Sequence, residues 1–97
     1  MTRKLSITKR AAEEVRRAAA ASGAGGLALR VAAKQEEDGS VLLGIGFDEE
    51  RVRDDVIEMA GVTLLVSEHS RDLLEDMVLD FVAPQFVVVP APPEDGA

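Results

Sequence analysis

The single histidine of the chain, His69, stands in the run Ser67-Glu68-His69-Ser70, where hydroxyls, a carboxylate and an imidazole lie side by side. A nucleophile and its base must face each other, and neighbours within a helical turn point in different directions. The run therefore does not supply a Ser–His pair. With no second histidine, no tyrosine and no tryptophan in the chain, His69 reads as a first-turn surface residue, and no general acid–base set remains. The expectation is that the protein is not an enzyme and has no catalytic residue. Cysteine is absent, which excludes thiol nucleophiles, disulfides and any metal or cluster held by thiolates. Gly23, Gly25, Gly26, Gly44 and Gly46 do not form a strand–GxGxxG–helix unit, so no nucleotide loop is indicated.

Carboxylates are the remaining donors. Glu36-Glu37-Asp38 makes one cluster, and Asp48-Glu49-Glu50 with Asp54-Asp55 makes another. A hard cation such as Ca²⁺ needs about six to eight oxygens at spaced positions. Neither cluster has the spacing of a calcium loop, and solvated acidic loops are the simpler reading. No cofactor or metal site is expected, with Glu36, Glu37 and Asp38 kept as the candidate ligands should a mononuclear iron bind.

Charge is distributed unevenly around these groups. The net charge is −7 at pH 7. Residues 1–34 carry eight Lys and Arg against Glu13 and Glu14, or +6, whereas residues 35–97 carry three Arg against sixteen acids, or −13. An acidic total argues against nucleic-acid binding, which needs a net basic surface. The split leaves room for a basic patch that meets an acidic protein, or the acidic half of a second copy. Arg10, Arg16 and Arg17 are the candidate partner-binding residues of that patch.

The elements that would position these groups can be read from periodicity. Leu5-Ser6-Ile7 alternates as a short strand, and Thr8 is a good N-cap for a helix from Lys9 to Ser22 that stops at Gly23. Ile7 and Ala12 have staple spacing. Ala11, Ala12, Val15, Ala18 and Ala19 share one face of that helix, with Lys9, Arg10, Glu13, Arg16 and Arg17 on the other. Glu13–Arg17 and Arg10–Glu14 have pairing distance. Leu27–Ala33 and Val41–Phe47 alternate with period two across the polar loop 35–40, which predicts an antiparallel hairpin with Val31, Leu43 and Ile45 buried. Gly44 and Gly46 share a face, where either another group approaches the backbone or the strand bends. Val56–Met59 and Val62–Val66 flank Ala60-Gly61 as a second hairpin. Ser67 can cap a short helix from Glu68 to Glu75. Strands at Met77–Val82 and Phe86–Val89 close the chain, with order expected over about residues 4–90 and a loose tail at 91–97. The whole is one α+β domain, residues 1–97, of mostly antiparallel or mixed β-sheet with one long N-terminal helix and one short helix. No apolar run approaches the ~18 residues of a membrane span, and the charged start is unlike a signal peptide, so a cytoplasmic location is expected.

Leu29-Arg30-Val31-Ala32-Ala33-Lys34, a loop, and a strand ending Phe47-Asp48 resemble the A-type iron–sulfur carriers, the HesB/IscA-like domain. Ile7-Thr8 before the Ala-Ala-Glu helix, the Ala60-Gly61-Val62 turn, Leu79-Asp80-Phe81-Val82 and Phe86-Val87-Val88 match further family segments in order, over about residues 5–90. The resemblance implies a compact sandwich of small mixed sheets with the long helix against it. It places Asp38 where the family's first ligand cysteine stands, and the family's C-terminal Cys-Gly-Cys has no counterpart. One carboxylate does not replace three thiolates, because cluster iron favours sulfur. The implied function is that of a cysteine-less carrier homologue, a protein-binding or regulatory accessory in iron–sulfur biogenesis or sulfur metabolism. Its partners would be proteins of those pathways or, as an oligomer, another copy. A mononuclear iron protein and an unrelated role on a retained fold are the alternatives.

Overall fold

The structure is a computed structural model that describes residues 3–92. The chain runs β1 (Ser6–Ile7), α1 (Lys9–Ser22), β2 (Ala28–Gln35), β3 (Val41–Asp48), β4 (Asp55–Met59), β5 (Val62–Val66), α2 (Arg71–Leu74), β6 (Met77–Val82) and β7 (Gln85–Pro90). Local signals place most of these boundaries. The Thr8 hydroxyl accepts the Ala11 N–H at 3.2 Å, and Gly23 closes α1 at φ +74, donating to Ala19 O. Ala60 (φ 55) and Gly61 (φ 80) take the successive left-handed conformations of a two-residue hairpin turn between β4 and β5.

The strands form two sheets, β1-β6-β7 and β3-β2-β5-β4. The β2–β3, β4–β5 and β6–β7 pairs are antiparallel hairpins, whereas β1–β6 and β2–β5 are parallel. β2 and β3 pair without a break from Ala28↔Asp48 to Gln35↔Val41, as the alternation predicts. α1 lies against β5 and β6 and so bridges the sheets. Its buried residues are Ala11, Ala12 and Val15, whose small side chains let it sit close. The core they join includes Leu5, Ile7, Leu29, Val31, Leu64, Leu74 and Leu79. Removal of such surface from water is the main stabilising term of a domain this small.

Several details differ from the expectations. Leu43 and Ile45 are half-buried rather than buried, because β3 is an edge strand with no further strand beyond it among the described residues. Among the described residues no group comes within 4 Å of the space a side chain at Gly44 or Gly46 would enter, so that face is open. The short helix begins at Arg71 rather than Glu68, since Ser67–Ser70 form a turn in which Ser70 N donates to Ser67 O. β7 extends to Pro90, which pairs with Met77 at the strand's end, where a missing N–H costs no internal ladder bond. The turn before it is the two-residue Ala83-Pro84, joined by a cis peptide bond. Of the expected loose tail, Ala91 donates its N–H to Asp76 O and Pro92 O accepts from Arg3, while residues 93–97 lie outside the described part. Among the described residues no helix is long and apolar enough to cross a membrane.

Candidate functional site

The β2–β3 loop is where the sequence places its candidate ligands. Glu36 N donates to Ser40 O and Gly39 N to Glu36 O, with Gly39 at φ +91, which closes a tight polar turn. Asp38 is exposed, and its Oδ1 accepts both the Ser40 hydroxyl at 2.6 Å and the Ser40 N–H at 2.9 Å. The hydroxyl bond and then the backbone bond hold the Asp38 carboxyl below its ordinary value. This is the chemistry of a turn-forming aspartate, whose side chain stands in for a backbone acceptor. Glu37 is exposed and Glu36 partly so. Among the described residues no three of His, Asp or Glu are gathered as metal ligands would be. The donors present do not fit a cluster, which takes thiolate sulfur.

The second acidic cluster has a different use. Arg30 projects from the outer face of β2, and its Nε donates to Asp48 Oδ2 at 2.7 Å. Its two terminal nitrogens donate to Asp54 Oδ1 and Oδ2 at 2.9 and 2.7 Å, and one also reaches Glu49 O at 3.1 Å. The fork matches a bidentate carboxylate, which lysine could not do. These bonds draw the 49–54 connection over the outer face of the sheet. There Leu65, beside Arg30 in the parallel β2–β5 pair, is fully buried. The Asp54 side chain is 3% exposed, and Arg30 holds its carboxyl down at about 2. Asp48 is lowered for the same reason. The loop is thus an internal ion-pair clamp rather than a set of free ligands. Arg30 and Asp48 are also two of the residues that carry the resemblance, so that part of the pattern encodes architecture.

The arginines of α1 are partly committed. Arg10 pairs with Asp80 of β6 through Nε at 2.8 Å and Nη2 at 2.6 Å, and the Thr8 hydroxyl donates to the same carboxylate at 2.7 Å. Arg10 and Thr8 hold the Asp80 carboxyl well below the usual range. Arg16 donates to Ala60 O at 2.5 Å, and Arg17 pairs with Glu14 one turn back. The pairings expected at i,i+4 are replaced by one at i,i+3 and one across seventy positions of sequence. All three arginines remain at the exposed surface.

His69 is exposed in the turn before α2, and its neighbour Ser70 is buried at 3%. Ser70 Oγ accepts the Ala33 N–H at 3.0 Å and donates to Ala33 O at 3.3 Å. β5 pairs with β2 only at Leu29 and Arg30, so the Ser70 hydroxyl completes the edge of β2 that β5 leaves open. No sequence signal distinguishes this serine from Ser67. One further concavity was not legible in the sequence at all. An apolar groove of about 310 Å³ opens between β3, α2 and β7 and is lined by Val41, Leu43, Leu73, Met77, Phe86 and Val88 among others.

The family model described as iron-sulphur cluster biosynthesis matches residues 3–89. Among solved structures, the fold is similar to that of Escherichia coli SufA, described as involved in biosynthesis of iron-sulfur clusters. The TM-score is 0.71 and the identity 19%, over 96% of this chain and 85% of that one. None of the curated proteins matches the chain significantly.

Proposed function

This chain belongs to the iron-sulphur cluster biosynthesis family, and from that premise we propose that it is a cysteine-less accessory that acts by binding proteins rather than by carrying a thiolate-held cluster. The observation that carries this reading is the state of the Asp38 position. The chain has no cysteine, and at the place where the resemblance puts the first ligand a carboxylate is engaged in its own turn. The fold is kept and the cargo chemistry is gone. What remains to act is surface. The partner would be a component of iron–sulfur biogenesis or sulfur metabolism, or a true carrier met in a mixed oligomer. The role is regulatory or docking, not enzymatic, and the location is the cytoplasm.

Arg10, Arg16 and Arg17 belong to this proposal as a steering patch for an acidic partner, since each keeps an exposed guanidinium despite its internal bond. The test is capture from the native host under anaerobic conditions, with the wild type and the Arg10/Arg16/Arg17→Gln triple variant. The reading expects enrichment of cluster-assembly or sulfur-handling proteins, with slower and less salt-sensitive association for the variant. Enrichment of no such protein would refute the accessory role. An unchanged partner list and salt response would remove the arginines from it.

A further inference from the structure

Sheet edges differ in how they are protected. β4 carries Glu58, and β7 ends in Pro90. Charges and prolines of this kind are the usual guards against added strands. β3 reads Val-Leu-Leu-Gly-Ile-Gly-Phe-Asp over 41–48, with no lysine, no proline and no bulge in its register with β2. Its only charge, Asp48, is taken up by Arg30. Among the described residues no strand pairs with its outer edge, so its backbone groups there are open to a partner beside an apolar groove. Val41 at its start is 51% exposed, and the groove continues past Leu43 to Leu73 of α2 and Phe86 of β7.

The chain around that groove is acidic. The Glu36-Glu37-Asp38 loop leads directly into Val41, and Asp72 and Glu75 flank the α2 residues that line the groove. Among the described residues none of these five acids is in an ion pair. The cations next to them in sequence are turned elsewhere. Lys34 pairs with Leu42 on the opposite face of the hairpin, and Arg71 is held by Asp55.

We propose that the groove between β3, α2 and β7 receives an extended, basic and apolar peptide segment of a protein partner, laid along the free edge of β3 as an added strand. Backbone pairing with β3 would supply the affinity, alternate apolar side chains would enter the groove, and lysines or arginines would meet the acidic rim. The proposal deepens the accessory reading and rests on it for the partner's existence. Residues 93–97 do not suit the site, since they would add a proline and two acids to an acidic rim. A second copy carries its Arg10, Arg16 and Arg17 on helix α1, which cannot be laid along β3 as an added strand.

The test is an NMR titration of the full isotope-labelled chain with three synthetic peptides. One alternates lysine with valine and leucine, one has glutamate for every lysine, and one is the basic peptide interrupted by prolines. The proposal expects saturable shifts confined to β3, α2 and β7 with the basic peptide alone, and binding that weakens with salt. Val41→Lys, at an exposed position that tolerates the change, should weaken binding about tenfold by adding like charge to the groove. Val52→Lys, at the 90% exposed Val52 on another surface, should leave it unchanged. Equal binding of the glutamate or proline peptide, shifts elsewhere, or indifference to Val41→Lys would overturn the proposal. So would a doubled mass for the free protein with the same residues shifted, since a second copy would then be the occupant. Failure of the accessory reading is separate: it shows as an empty capture experiment from the host even when the basic peptide binds this groove.

Discussion

Replacement of Arg30 by methionine keeps an apolar stem beside Leu65 and removes the fork that holds Asp48 and Asp54. The Asp54 side chain, 3% exposed, would be left as a carboxylate without its cation. Breaking a buried pair from one side costs about 3–5 kcal/mol. A second figure comes from titration. A shift of the Asp54 carboxyl from 3.8 to about 2 corresponds to at most about 2.4 kcal/mol at about 1.36 per unit. The guanidinium's outer bond to Glu49 O lies in exposed surroundings, so solvent screening reduces this share to about 1–2 kcal/mol. The Arg30→Met variant should therefore lose about 2–4 kcal/mol at pH 7, a large part of the stability of a domain this size. The sign with pH is set by the depressed folded value. The unfolded chain binds the proton first, so the pair's contribution is complete above about pH 4 and is lost as pH falls towards about 2. Urea unfolding of wild type and variant from pH 7 to pH 2 measures both quantities. The stability gap should narrow as the pH drops through that window. A loss under about 1 kcal/mol at pH 7, or a gap that does not change with pH, would refute the clamp.

Ser70→Ala leaves the buried Ala33 N–H without its acceptor, and should cost about 1–3 kcal/mol in urea unfolding with faster exchange of the Ala33 amide; unchanged exchange would show that water takes the serine's place. Ala60→Asn puts a residue tolerant of left-handed backbone at φ 55 and should stabilise by about 0.5–1 kcal/mol, read as a higher melting temperature. Val31→Asp, at a fully buried position, should abolish cooperative folding by circular dichroism, since burial of an unpaired charge costs several kcal/mol or more. A native-like spectrum would mean that the β2 core face is misassigned.

The hairpins and the long helix were legible because each rests on a local signal. Alternation marked β2 and β3, Ala60-Gly61 marked the turn between β4 and β5, and Thr8 with Gly23 marked the ends of α1. The parallel pairings of β1 with β6 and β2 with β5 were not legible, since nothing local links Ile7 to Leu79 or Arg30 to Leu65. The same blindness hid the chemistry of the charges. Asp48 and Asp54 look like loop acids until β2 brings Arg30 between them, and Arg10 looks like a partner for Glu14 until β6 brings Asp80 beside it. The helix expected from Glu68 starts at Arg71 because Ser67–Ser70 close a turn of their own, and Ser70 at the N-cap position does not turn its hydroxyl to the helix. Ser70 is instead drawn into the open edge of β2. The turn role of Asp38, by contrast, follows from the local run Asp-Gly-Ser once the loop's closure is seen. The groove beside β3 is a product of how two sheets meet, and no stretch of sequence encodes it by itself.

The claim that this family member has kept the fold without the cargo is tested most directly by anaerobic reconstitution of the purified chain. Iron and sulfide are added under reducing conditions, the protein is desalted, and absorbance, iron and sulfide are measured. The account predicts a colourless protein with no charge-transfer band and no retained sulfide, because no thiolate is present to hold the iron. A stable brown species with stoichiometric iron and sulfide on the folded chain would contradict it.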